Sequence, residues 1–193
     1  MGDFFVQQKD AKQCGIACLA MVCRHYGRHI GIDDIEPMCP SGREGVSMLA
    51  LSETADALGL ENVTAKFTPD RLAELPLPCI LHWNHNHFVV LRKIGRGRRS
   101  YHVADPGKGL IRYSAEEFAA RWGTDAAGKG IAMALRPTDS FMAEARRAAD
   151  GFRILASGCE NLARAHQRGA PRQRRGKRRA QSRQLRARQI NSH

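Results

Sequence analysis

A single cysteine opens an apolar helical stretch, and that placement constrains the rest of the chain more than any other feature. Counting from Cys14, the residues Ala17, Cys18, Met21 and Val22 recur at the spacing that lines one helical face, and Gly27 is a C-terminal stop. Cys14 is thereby expected in the first turn. Unpaired backbone N–H groups and the positive end of the helix dipole favour a thiolate there, and the thiolate is the reactive form. The plain alternative is a small buried apolar residue, the ordinary state of a free cysteine.

Far downstream, the run from His87 to Ile94 reads as a strand, the run from Ser100 to Asp105 as another, and Gly95-Arg-Gly-Arg-Arg between them as turn. A hairpin folded symmetrically about Arg96 sets His87 opposite Asp105, and opposed residues have Cβ atoms about 5 Å apart. A carboxylate beside an imidazole fixes its tautomer and stabilises the imidazolium. Cys14, His87 and Asp105 are therefore candidates for nucleophile, base and orienting acid. A bulge would shift the register by a residue, and a structural His–Asp pair would share the same spacing.

The other elements follow from local signals. Ser47 begins a second helix that ends at Gly59. Residues 61–67 suit a strand, Thr68-Pro69 caps a short helix through Leu75, and strands are expected around residues 79–83, 110–113 and 131–135. Ser114 and Glu117 form a capping box for a helix over residues 115–122. Helices first and antiparallel strands later predict an α+β fold.

Six cysteines, at positions 14, 18, 23, 39, 79 and 159, show no CxxC pairing, and no secretory signal precedes them. Reduced thiols are expected, with Cys18 and Cys23 on a buried helix face and Cys39, beside Pro40, as a surface thiol. His82, His85 and His87 are close in sequence, but a closed zinc site wants four ligands, so neither metal nor cofactor is expected. His85 and Trp83 instead suit the lining of a substrate groove.

These residues carry a resemblance. Gln8, Cys14-Gly15, Ala17-Cys18-Leu19, Met21 and Tyr26-Gly27, then the stretch from Leu81 to Leu91, then Asp105-Pro106, together with Gly45-Val-Ser-Met-Leu-Ala-Leu and Ala57-Leu-Gly-Leu, resemble the bacteriocin-processing cysteine peptidases over about residues 3–137. The resemblance implies a papain-like fold, with Cys14 as nucleophile, His87 as base and acid, Asp105 as orienting carboxylate and Gln8 as the oxyanion-hole amide. Gln7 and Gln13 lie near enough in sequence to be confused with Gln8. The implied substrate is a precursor peptide whose leader ends in two glycines, which suit a narrow cleft. The implied partners are the membrane and ATPase domains of an ABC exporter, supplied by another chain or lost by truncation. The implied location is the cytoplasmic face of the bacterial inner membrane. A leader-binding adaptor that does not cleave is the alternative. Met48, Leu51 and Leu58 are candidates to grip the leader, although helical periodicity favours the core for each.

The C-terminal third departs from an exporter. No run of eighteen apolar residues and no GxxxxGK[ST] loop occurs. Residues 138–165 form a candidate helical linker with Phe141, Ala145, Ala148, Phe152, Leu155 and Leu162 on one stripe, and a basic, disordered tail is expected at 166–193. The formal net charge is +12, yet residues 161–193 hold eleven Lys or Arg and no acid, which leaves +1 for the rest. The tail has no aromatic residue for base stacking, so no specific nucleic-acid partner is expected.

Overall fold

Apolar residues at helical spacing give way to alternating ones after Leu60, and the architecture changes with them. The computed structural model describes residues 4–150 apart from residues 44, 124 and 126. Helix α1 (Cys14–His25) is followed by α2 (Ile32–Ile35), a two-stranded ribbon of β1 (Ser41–Gly42) and β2 (Gly45–Val46), and α3 (Met48–Ala57). Then come β3 (Leu60–Phe67), α4 (Pro69–Leu72), β4 (Cys79–Trp83), β5 (His87–Ile94), β6 (Ser100–Asp105), β7 (Gly109–Ser114), α5 (Ala115–Trp122) and β8 (Gly130–Pro137). The last six strands make one antiparallel sheet in the order β3-β8-β4-β5-β6-β7. The expected α+β class holds.

Strand alternation divides the core between the two faces of that sheet. Ile80, Phe88, Val90 and Ala104 point toward α1 and α3, whereas Leu81, Trp83, Val89, Leu91 and Val103 point toward α5. Helix α1 is buried on every side from Cys14 to Cys23, not on a single stripe. It packs against β5, α2 and α3, and a helix over residues 139–150 adds Phe141 to the same cluster, with Met142 packed against it. Arg28 fastens that helix by donating to the Leu58 carbonyl at 2.9 Å and pairing with Glu144 at 2.7 Å. The packed body therefore continues past residue 137. The rest of the expected linker, Cys159 and the basic tail lie outside the described residues.

On the opposite face, α5 begins with the expected capping box, in which Glu117 N–H donates to Ser114 Oγ at 3.2 Å and Ser114 N–H donates to Glu117 Oε2 at 2.8 Å. Phe118 stacks on Tyr101 with ring centroids 3.9 Å apart.

Two sequence expectations need correction. The β5–β6 hairpin is not symmetric about Arg96: Ile94 pairs with Tyr101 and Lys93 with His102, but Leu91 pairs with Val103, because Arg92 is an extra residue in a bulge. One further step along that register sets Asp105 level with Val89, not with His87. Cys39 is no surface thiol. The turn Glu36–Met38 delivers it inward to 2% exposure, beneath Thr54.

Candidate active site

Cys14 reaches the sheet because of the residue that follows it. A Cβ on Gly15 would come within 2.8 Å of Leu51 Cδ1 and 3.2 Å of Phe88 Cδ2, so glycine lets the start of α1 lie close against α3 and β5. The N-cap residue, Gln13, makes no side-chain cap bond to the helix. Cys14 is 5% exposed, and its small opening leads into a cavity of about 290 Å³.

His87 begins β5 at the end of the sheet nearest Cys14, and Asp105 ends β6. Although they are not directly opposed, the imidazole spans the offset: His87 Nε2 lies 2.8 Å from Asp105 Oδ1. The Gly107 N–H donates to the same oxygen at 2.9 Å. Asp105 is 1% exposed and His87 23%, so the acid is sealed from water while the base remains accessible. With Nε2 held by Asp105, the nitrogen left for the thiol is Nδ1.

The electrostatics follow from this geometry. Burial opposes a charge on His87, but hydrogen bonds with Asp105 and Cys14, and the negative charge of both, raise its pKa from 6.5 to about 9. Burial also opposes a charge on Asp105, yet the hydrogen bonds from His87 and Gly107 N–H, with the charges of His87 and Lys108, draw its pKa below the ordinary value. The pair therefore stands as imidazolium and carboxylate at neutral pH. Burial instead pushes the Cys23 and Cys79 thiols up to about 12 and raises those of Cys18 and Cys39, which leaves them protonated.

Gln8 is half-buried against the turn that carries the acid. Its N–H donates to the Pro106 carbonyl at 3.0 Å, and its Oε1 lies 3.6 Å from where a Cβ on Gly107 would sit. Of the two glutamines confusable with it, Gln7 is exposed and the Gln13 amide is engaged by Lys9 and Glu36.

The cavity beside Cys14 is walled by Gly45, Val46, Ser47 and Met48 on one side and by His82, His85, Asn86 and Phe88 on the other. His85 is thus brought to the site. Strand alternation alone would separate it from His82, but Asn84 and His85 both take positive φ, 46° and 67°, in a tight turn that returns His85 to the face of His82. Trp83 is not brought to the site, and its expected groove-lining place is corrected. One position along from His82, it points to the opposite face, is 1% exposed and packs 5.4 Å from both Tyr113 and Phe118. Leu51 and Leu58 are core residues, and of the three leader-gripping candidates only Met48 lines the cavity. In the sequence Gly45 stands out only as part of the segment that resembles the family. Its φ of +102° and the approach of Lys12 O to 3.3 Å from a would-be Cβ explain the glycine.

A buried helix that presents a cysteine at its N-terminus to a His–Asp pair on an antiparallel sheet is the arrangement of a papain-like cysteine peptidase. Comparison with known proteins agrees. The Peptidase C39 pattern matches residues 4–127, and the chain belongs to the Peptidase C39 family. It is 32% identical over 159 residues to the probable microcin secretion/processing ATP-binding protein MchF of Escherichia coli, an alignment covering 82% of this chain and 22% of the relative. The chain thus spans about a fifth of the length of these curated relatives. Among solved structures, a double glycine motif protease from an AMS/PCAT transporter, in complex with the leader peptide, superposes with a TM-score of 0.63 at 32% identity, covering 69% of this chain and 91% of that one. The peptidase domain of Streptococcus ComA, a bifunctional ABC transporter, gives a TM-score of 0.59 at 27% identity, covering 69% and 97%. Among the described residues no helix is long and apolar enough to cross a membrane.

Proposed function

We propose that this chain removes the leader of a secreted, bacteriocin-like precursor peptide by cutting after a Gly-Gly pair. It would work with the membrane and ATP-binding parts of an ABC exporter, and so at the cytoplasmic face of the inner membrane. The observation that carries the reading is the 2.8 Å contact between His87 and Asp105 beside a helix-opening cysteine. The names of the relatives, secretion/processing ATP-binding proteins and a double glycine motif protease, supply the substrate class and the exporter.

In the first half-reaction the Cys14 thiolate attacks the carbonyl carbon of the second glycine. Negative charge gathers on the carbonyl oxygen, which accepts from the Gln8 amide, a kind of donor typically worth about 3 kcal/mol. As the tetrahedral species collapses, the C–N bond breaks and the His87 imidazolium gives its proton to the departing amine. A thioester remains on Cys14. The now neutral imidazole takes a proton from water, the hydroxide displaces the sulfur, and the leader leaves with a free carboxylate while the thiolate–imidazolium pair is restored. Asp105 holds the ring throughout.

The cavity supports the preference for glycine. At about 290 Å³, and shared among Val46, Ser47, His82 and His85, it suits two residues without side chains. Met48 at its wall and Leu49 beside it, 68% exposed, offer apolar surface to the leader preceding the glycines.

The test is incubation of the purified chain with a synthetic Gly-Gly leader peptide, read by mass spectrometry. A single cut after the second glycine, absent in Cys14→Ala, is expected. Cleavage that survives that substitution overturns the assignment. Tight binding with no turnover by the unaltered chain would replace it with a leader-binding adaptor.

A further inference from the structure

Gln13 is buried to 6% exposure immediately before Cys14, yet it neither caps α1 nor touches the His–Asp pair. Its amide faces two partners whose chemistry fixes its orientation: Oε1 accepts from the Lys9 backbone N–H at 3.2 Å, and Nε2 donates to Glu36 Oε1 at 2.9 Å. The Lys9 N–H belongs to the peptide unit on the C-terminal side of Gln8. On its N-terminal side, the Gln8 N–H donates to the Pro106 carbonyl at 3.0 Å. Both peptide planes that flank Gln8 are therefore tied down, one to the turn that follows Asp105 and the other to Gln13.

Resting on the acyl-transfer reading above, we propose that Gln13, held by Glu36, is a positioning residue that sets the backbone of Gln8 and so aims its amide at the developing oxyanion. A donor of this kind acts only when it is placed before the charge appears, and a displacement of about 1 Å can cost on the order of 100-fold in rate. Two fixed peptide planes determine the direction of the Gln8 Cα–Cβ bond. Glu36 in turn stands on the turn that follows α2, and the exposed Lys9–Asp33 ion pair joins the same two segments.

The experiment separates acylation from thiolate reactivity. Two acyl substrates are used, the Gly-Gly leader peptide and p-nitrophenyl acetate, an activated ester that needs no leader recognition. Iodoacetamide is the third reagent, because alkylation of sulfur passes through no oxyanion. Gln13→Met, which keeps the volume and removes both hydrogen bonds, is expected to lower kcat for peptide and ester by about tenfold or more, with KM and the alkylation rate within twofold. In the Gln8→Ala background the same change should add less than twofold. Glu36→Ala should lower kcat by a smaller factor, and Glu36→Gln, which restores an acceptor for the Gln13 amide, should recover it. Full acylation rates in Gln13→Met overturn the proposal. So do alkylation falling in parallel with acylation, which means damage to the start of α1, or multiplicative losses in the double variant. An uncut leader peptide with a Gln13-dependent ester reaction would remove the proposed substrate and leave this positioning role standing.

Discussion

The two faces of the sheet are built from different materials. The face toward α1 uses small and aliphatic groups, Gly15, Ala17, Ala20, Leu51, Val90 and Ala104, and brings a helix close enough for a sulfur to meet an imidazole. The face toward α5 is dominated by rings, Trp83, Tyr101, Tyr113, Phe118 and Trp122, and none of the proposed catalytic groups lies among them. Close approach needs small side chains, whereas large apolar area comes most cheaply from aromatic ones. Chemistry and anchoring are thus separated by one layer of backbone.

That separation can be broken experimentally, beginning with the largest effect. Cys14→Ala should abolish turnover while the melting temperature moves by no more than a few degrees, since only one sulfur atom is lost; residual cleavage in a mass-spectrometric assay would count against the whole scheme. Asp105→Asn should lower kcat by roughly 10²–10⁴-fold, because a neutral amide no longer stabilises the imidazolium, and steady-state kinetics on the leader peptide would read it. On the aromatic face the effect should fall on stability instead. Phe118→Ala is expected to cost about 3–5 kcal/mol in urea unfolding, with kcat per folded molecule unchanged. Gly15→Ala should join the two behaviours, costing about 1–3 kcal/mol by overpacking against Leu51 and Phe88 and slowing turnover as Cys14 is displaced.

The smallest effect is a titration. His87 has its pKa raised from 6.5 to about 9, so the imidazolium is retained below that value, and kcat/KM should decline as the pH rises through about 9. The same sign governs stability: the contribution of the raised His87 pKa is complete below about 6.5 and is lost as the pH rises through about 9, whereas that of the lowered Asp105 pKa is lost on acidification. Asp105→Asn should move the alkaline limb to lower pH.

Much of this arrangement was legible in the residues. The start of α1, the Ser47 and Ser114 caps, the strand runs and the ordered trio of Cys14, His87 and Asp105 are local signals, and each element formed where those signals stand. The hairpin shows the limit. His87 and Asp105 do meet, but by a diagonal reach and not by the symmetric register, since the bulge at Arg92 depends on packing across the sheet. Trp83 and His85 divide in the same way. An aromatic and an imidazole two residues apart look alike as groove residues until the fold decides which face each one sees.

By itself the sequence determined the class of fold, the family and the candidate trio of Cys14, His87 and Asp105, because capping, periodicity, residue chemistry and the motifs that resemble the family are all carried by short segments. Only the tertiary structure decided that α1 is enclosed on every side, that Cys39 turns inward, that Trp83 faces away from the cysteine and that Gln13 grips the peptide beside Gln8. Those outcomes depend on contacts between residues distant in the chain, whose register and depth no local pattern encodes.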